Sequence, residues 1–121
     1  MLKFILIVDD NPLIRRAVRA IFEAQPDFRV CGEAVNGQDA IEKTRQLHPD
    51  LIVLDCSMPV MNGLEAAATL TRVTPQVPMI MLTAHKHALV EPIARAAGIC
   101  AILSKEDCND ALIREARTLL N

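Results

Sequence analysis

Phe4-Ile5-Leu6-Ile7-Val8 runs straight into Asp9-Asp10. A short continuous apolar run of this kind reads as a strand buried on both faces, the habit of a parallel sheet covered by helices. The pattern returns three times. Leu51-Ile52-Val53-Leu54 stops at Asp55, Pro78-Met79-Ile80-Met81-Leu82 stops at Thr83, and Ile99-Cys100-Ala101-Ile102-Leu103 leads through Ser104 to Lys105. In an open parallel sheet, ligand sites form at the carboxyl ends of the strands. Three carboxylates, a hydroxyl and an ammonium are therefore expected along one edge.

Between these runs the pattern is helical. Asn11 is a natural N-cap and Pro12 suits the first helical position, so a helix is expected over Pro12 to Ala24. Leu13, Ala17, Ala20, Ile21 and Ala24 fall at helical spacing, with Arg15, Arg16 and Arg19 facing elsewhere. Phe28 to Ala34 reads as a further strand whose charges, Arg29 and Glu33, suit a sheet edge. A second helix opens at Asn36 and ends at His48-Pro49, because the residue before proline is pushed out of helical space. Asn62-Gly63 turns the chain into a third, Leu64 to Val73, and a fourth ends before Gly98. A fifth runs from Cys108 to Leu120 with Asp107 as a candidate cap. Strand–helix units whose connections are too long for hairpins require parallel strands and right-handed crossovers.

With 121 residues and no linker or low-complexity tract, a single domain over residues 1–121 is expected. Hydrophobic residues make up 51% and charged residues 23%, a globular rather than disordered balance. The net charge of −2 gives no bulk electrostatic case for binding nucleic acid. The four cysteines form no CxxC pair and have no metal-ligand spacing with the histidines, so reduced structural thiols are expected. The apolar start is too short for a secretory signal and no stretch approaches a membrane span, which points to the cytoplasm.

Each polar strand end has an ordinary reading by itself. Asp55 can cap a helix or solvate a turn, Asp9-Asp10 can be a loop pair, Thr83 can cap local backbone, and Lys105 can be an exposed loop lysine. Together they make a problem that chemistry can solve. Three carboxylates at one edge repel one another unless a cation is present, and a hard ion such as Mg²⁺ takes one or two carboxylates while keeping several waters. Lys105 can pair with an acidic group or a phosphoryl oxygen.

As a set, these residues resemble the receiver domain of two-component response regulators. The resemblance is carried by ILIVDDNPLIRRAVRAIFE, VCGEAVNGQDAIEKTRQLHPDLIVLDCSMPVMNGLEAA, PMIMLTAH and AAGICAILSK, and covers essentially the whole chain. The opening and GEAVNGQDAIE further resemble receivers joined to helix-turn-helix DNA-binding domains of the NarL/LuxR type. The resemblance implies a doubly wound, flavodoxin-like five-stranded parallel sheet of order 2-1-3-4-5 with five helices. It implies Asp55 as phosphoacceptor, attacking a phosphohistidine or small phosphodonor in line. Asp10 would ligate Mg²⁺ (or Mn²⁺) directly, Asp9 through water, and Asp55 and the Ser57 backbone carbonyl would complete the protein ligands. Thr83 would bond a phosphoryl oxygen, Lys105 would neutralise charge, and small Ala84 would leave the site open. The implied partners are a sensor histidine kinase or phosphotransfer protein, and an effector domain outside this chain, with homodimerisation left open. The implied chemistry is self-phosphorylation and self-dephosphorylation, not turnover of a separate substrate, with output through the fourth helix, fifth strand and fifth helix.

Several residues depart from the family's pattern. Ile102 stands where an aromatic residue usually turns inward on activation, so an aromatic switch is excluded there. A charge-assisted hydrogen bond from Thr83, worth about 1.5–3 kcal/mol, matches typical allosteric couplings of about 1–3 kcal/mol and would suffice without it. Glu106 follows Lys105 in place of a commonly cis proline. A non-proline cis bond costs roughly 2.5–4 kcal/mol, so a trans bond and a reshaped loop are expected. Pro92 fits the fourth helix only within its first turn. His85, Lys86 and His87 suggest a partner-facing loop rather than a metal site. Three alternatives stand beside the receiver. A phosphatase with an aspartyl nucleophile would want a carboxylate at Ser57, and a flavin binder lacks its aromatic pair. A degenerate receiver acting only as an interaction module is kept open by Ile102 and Glu106.

Overall fold

The computed structural model describes residues 1–56, 58, 60–84, 90–107 and 109–121, with the backbone alone at 90 and 107. Strands β1 (Lys3–Val8), β2 (Phe28–Ala34), β3 (Leu51–Asp55), β4 (Met79–Thr83) and β5 (Ala101–Ser104) alternate with helices. These are α1 (Pro12–Glu23), α2 (Gly37–Leu47), α3 (Gly63–Val73), α4 (Val90–Ala96) and α5 (Asn109–Leu120). The strands form one parallel sheet in the order β2-β1-β3-β4-β5, as the resemblance implied.

Alternation along the strands divides the core into two layers. Leu6, Val8, Ile52, Leu54, Met79 and Met81 pack on one face with Ala40, Ile41, Ala66, Leu70 and Ala94 from α2, α3 and α4. Ile5, Ile7, Leu51, Val53, Ile80 and Leu82 pack on the other with Val18, Phe22, Leu112 and Ala116 from α1 and α5. Both faces of the central strands are thereby removed from water, which is why these runs carry no polar residue until they end. β2 is an edge strand, and its pairing with β1 slips between Ile5 and Leu6 so that Cys31 is the extra residue.

Asn11, Asn36 and Asn62 cap α1, α2 and α3, each accepting a backbone N–H of the first turn through its side chain. Asn62 and Glu65 complete a reciprocal capping box. Pro92 is the third residue of α4, inside the first turn where its missing N–H costs nothing.

The boundaries differ from the sequence reading in instructive ways. His48 leaves the right-handed helix, but into the left-handed region (φ 50°) rather than extended backbone, while its N–H still bonds Thr44 O. Ile99 and Cys100 precede β5 because Ile99 N–H is taken by Ala94 O at the end of α4. Asp55, Thr83 and Ser104 lie inside their strands rather than after them, in register with Leu82, Ser104 and Thr83 respectively. The stretch after β5, Lys105–Asp107, forms a short 3-10 turn leading to α5, and the described residues contain no cis peptide bond. Expectations for Ser57, His85, Lys86, His87 and Cys108 lie outside the described residues. Among the described residues no helix is long and apolar enough to cross a membrane.

Candidate functional site

The ends of β1, β3, β4 and β5 meet at one edge because the strands are parallel and in register. Asp55 is the last residue of β3 and is 5% exposed, while Asp9, just past β1, is 2% exposed. Asp10 beside it is exposed. One carboxylate oxygen from each of Asp9, Asp10 and Asp55 lies within 4.8 Å of the others, the spacing of a cation site. Lys105, first residue of the turn after β5, reaches across with its Nζ 3.0 Å from Asp55 Oδ1 and 3.2 Å from Asp9 Oδ2. Thr83 is buried at the end of β4, the neighbour of both β3 and β5.

Asp9 is the most constrained of the three. Its N–H donates to Ala34 O at 3.0 Å and its Oδ1 accepts Asn11 N–H at 2.9 Å. Its Oδ2 is fully buried, and among the described residues its partner is the Lys105 ammonium at 3.2 Å. Burial pushes the Asp9 carboxyl up, and the Asp55 charge adds to this. The Asn11 N–H and Lys105 oppose both without cancelling them. Burial also disfavours the Lys105 ammonium, but its hydrogen bond to Asp55 and the charges of Asp55 and Asp9 prevail and hold it above its ordinary value.

This donor set fits a hard divalent cation. All three groups are oxygen donors, and burial with the Asp55 charge leaves the Asp9 carboxyl raised despite Lys105. Asp9, Asp10 and Asp55 are the residues able to hold such an ion. Cys56, next to the site, has its thiol pushed up by burial and by the Asp55 charge, so it stays protonated and is a poor ligand. The described cysteines 31, 56 and 100 are all free.

α3 presses against the backbone of Asp55. The Gly63 N–H donates to Cys56 O at 3.0 Å, and a Cβ at Gly63 would stand 2.0 Å from Asp55 O. Only glycine admits this approach. The Asn62-Gly63 pair was legible as a turn, but its role as the floor beneath Asp55 was not. Arg15 and Glu33 also escaped the sequence reading, which turned the arginines away from the core and assigned Glu33 to an edge. In the structure Arg15 Nε bonds Glu33 Oε1 and Arg15 Nη1 bonds Asp9 O, both at 2.8 Å.

The doubly wound parallel sheet thus gathers an acidic trio, a hydroxyl and a lysine at its strand ends. Residues 5–117 match the response regulator receiver domain family, and the chain belongs to it. A protein-glutamate methylesterase/protein-glutamine glutaminase of Methanosarcina acetivorans is 45% identical over 64% of the chain, which covers 22% of that protein. A Pseudomonas aeruginosa putative transcriptional regulator is 37% identical over 96% of the chain and 56% of its own length. The fold superimposes on a LuxR-family two-component response regulator from an Aurantimonas species with a TM-score of 0.94, at 25% identity over 99% of this chain and 86% of that one. The NarL/LuxR resemblance is met, while the methylesterase relatives were not anticipated. The chain spans only about a fifth to a half of these curated relatives' lengths.

Proposed function

We propose that residues 1–121 form one phosphoacceptor receiver domain, in which Asp55 takes a phosphoryl group in a reaction dependent on Mg²⁺ or Mn²⁺. The carrying observation is the ammonium of Lys105 held between Asp55 and Asp9 at an edge where three carboxylates converge. An Asp55 carboxylate oxygen attacks phosphorus, an O–P bond forms, and the bond from phosphorus to the donor's histidine nitrogen or leaving oxygen breaks. Lys105 neutralises charge on the carboxylate and then on the transferred group. Thr83, at the end of β4, donates to a phosphoryl oxygen. A bound cation supplies neutralisation of the phosphoryl oxygens, the main requirement of such a transfer. Asp9 and Asp10, with Asp55 and the Ser57 carbonyl, are the proposed ligands.

The domain is read as a cytoplasmic signalling module, not an enzyme with a separate substrate. Its donor would be a sensor histidine kinase or phosphotransfer protein. Its output would run through the surface of α4, β5 and α5, to a DNA-binding domain as in LuxR-type relatives. The methylesterase relatives make an enzymatic effector the competing output. The test is intact-mass measurement after incubation with acetyl phosphate and Mg²⁺, beside Asp55→Asn and a metal-free control. A single phosphoryl adduct requiring both Asp55 and the cation is expected. Absence of any adduct together with absence of cation binding would replace this function with a phosphorylation-independent interaction module.

A further inference from the structure

Arg15 grips two places at once. Its Nε donates to Glu33 Oε1 and its Nη1 donates to the carbonyl of Asp9, both at 2.8 Å. Glu33 is itself held. Its second oxygen accepts Arg19 Nε at 2.8 Å from the next turn of α1, and Lys43 Nζ bonds its carbonyl at 2.7 Å. The guanidinium is therefore oriented by a carboxylate near the end of β2 that Arg19 also holds, on a residue whose backbone carbonyl Lys43 of α2 anchors. A planar fork with donors in two directions is what arginine offers and lysine does not.

The held carbonyl belongs to the peptide plane that joins Asp9 to Asp10. Fixing that oxygen, with Asp9 N–H already bonded to Ala34 O, fixes the orientation in which the chain enters Asp10. Asp10 is exposed, so this plane carries the burden of aiming its carboxylate. We infer that Arg15, set by Glu33, is a positioning residue that aims the Asp9–Asp10 pair for divalent cation binding. The inference rests on the proposed role of the acidic trio as a cation site. It adds residues that touch neither cation nor phosphoryl group.

Charge and positioning predict opposite signs. Removing a cation from beside an acidic site should strengthen metal binding if electrostatics alone mattered. Loss of an outer hydrogen bond that orients a ligand typically weakens metal affinity about 10–100-fold. The experiment is Mn²⁺ titration followed by electron paramagnetic resonance of the free ion, on the parent and on Arg15→Gln, Arg15→Lys, Glu33→Gln and Arg19→Gln. Far-UV circular dichroism checks each fold. Arg15→Gln is expected to bind Mn²⁺ at least about tenfold more weakly, with Arg15→Lys failing to rescue it although the charge is kept. Glu33→Gln should weaken binding with Arg15 still present; a lost negative charge acts in the same direction, so Arg15→Lys, which keeps the charge and loses the fork, decides the matter if Arg15→Gln does not fold. Arg19→Gln removes the same charge and one hold on Glu33 but leaves the Asp9 carbonyl bond, so it should weaken binding less than Arg15→Gln. Mn²⁺ bound by folded Arg15→Gln, Arg15→Lys or Glu33→Gln as tightly as by the parent would overturn the inference. A parent that binds no Mn²⁺ would instead overturn the cation site itself, and the inference with it.

Discussion

Gly63→Ala places the fold and the site under one perturbation. In an unobstructed helix interior, alanine for glycine would stabilise by up to about 1 kcal/mol. Here the new Cβ would stand 2.0 Å from Asp55 O, 3.0 Å from Asp55 C and 3.1 Å from Cys56 Cα. All three neighbours are backbone, so none can rotate away. Asp55 pairs with Leu82 and Cys56 N–H bonds Leu82 O at 3.1 Å, which pins that backbone within the sheet. α3 must instead move out by about 1 Å, breaking its packing and the Gly63–Cys56 hydrogen bond. Overpacking of this kind costs typically 1–3 kcal/mol, and a backbone clash belongs at the upper end, so a net loss of about 2 kcal/mol is expected. For a domain of this size that lowers the thermal midpoint by roughly 6–12 °C. Gly32→Ala is the control, because its Cβ would meet Leu47 Cδ1 at 2.6 Å, the tip of a partly exposed side chain free to turn. It should cost under about 1 kcal/mol. Urea unfolding is followed by far-UV circular dichroism, since the chain has no Trp or Tyr. Equal midpoints for Gly63→Ala and the parent, or equal losses for the two variants, would refute the steric reasoning.

Asp9→Asn tests the charge imbalance. A carboxyl raised in the folded state favours folding below its folded pKa and opposes it above, so ionised Asp9 costs stability near neutral pH. In chelator, Asp9→Asn should unfold at higher urea than the parent; a lower midpoint would mean that the Lys105 pair outweighs desolvation. Mg²⁺ at 100 times its dissociation constant should stabilise the parent by about 2.7 kcal/mol and the variant less, and an equal shift in both would remove Asp9 from the site. Glu33 gives the opposite sign. Burial alone would raise it, but Arg19 and Arg15 prevail and hold it below the ordinary 4.5. Its contribution is thus present above pH 4.5 and lost as pH falls through the folded value. The stability gap between parent and Glu33→Gln should be flat above that pH and close below it, whereas a constant gap would show that no proton is involved. Val60 is β-branched at φ 69° and 84% exposed. Left-handed backbone costs such a residue about 1–2 kcal/mol, so Val60→Gly should raise the urea midpoint despite its added unfolded-state entropy. An unchanged or lower midpoint would count against strain there.

The fold was legible because four buried runs carried nothing polar until their ends, and because Asn11, Asn36 and Asn62 announce their helices locally. The edge placement of β2 followed from the charges on Arg29 and Glu33. Asp9, Asp10, Asp55, Thr83 and Lys105 were found together because parallel strands carry their ends to one edge, a consequence of topology alone. The Arg15–Glu33 contact was not legible. Its partners lie on different elements, and an arginine on the polar side of a helix looks the same whether it meets water or a carbonyl. Nor does a sequence show which atom Gly63 must approach. His48 defied a local rule because its N–H still had a partner in Thr44 O, so the helix closed with a left-handed cap.

Ile102 shows how a signal can and cannot leave the site. It is 4% exposed, in register with Met81, and shares a core layer with Ala94 and Ile99. Moving it to the surface would forfeit apolar burial at about 25 cal/mol per Å² with no polar group to be satisfied outside. It therefore acts as a fixed part of the core, not a rotating lever. What remains coupled to the site is the backbone on either side. Thr83 is in register with Ser104, and Ser104 immediately precedes Lys105, so the hydroxyl sits at the end of β4 and the ammonium one residue past the paired end of β5. A group that drew on both at once would pull on β4 and β5 together, and α5 follows β5 after a single 3-10 turn. Ile102→Ala should therefore cost stability as a cavity, about 2–5 kcal/mol, while leaving the yield of any Asp55 adduct in folded protein unchanged. Loss of the adduct in folded Ile102→Ala would show instead that the core side chain takes part in the site's own chemistry.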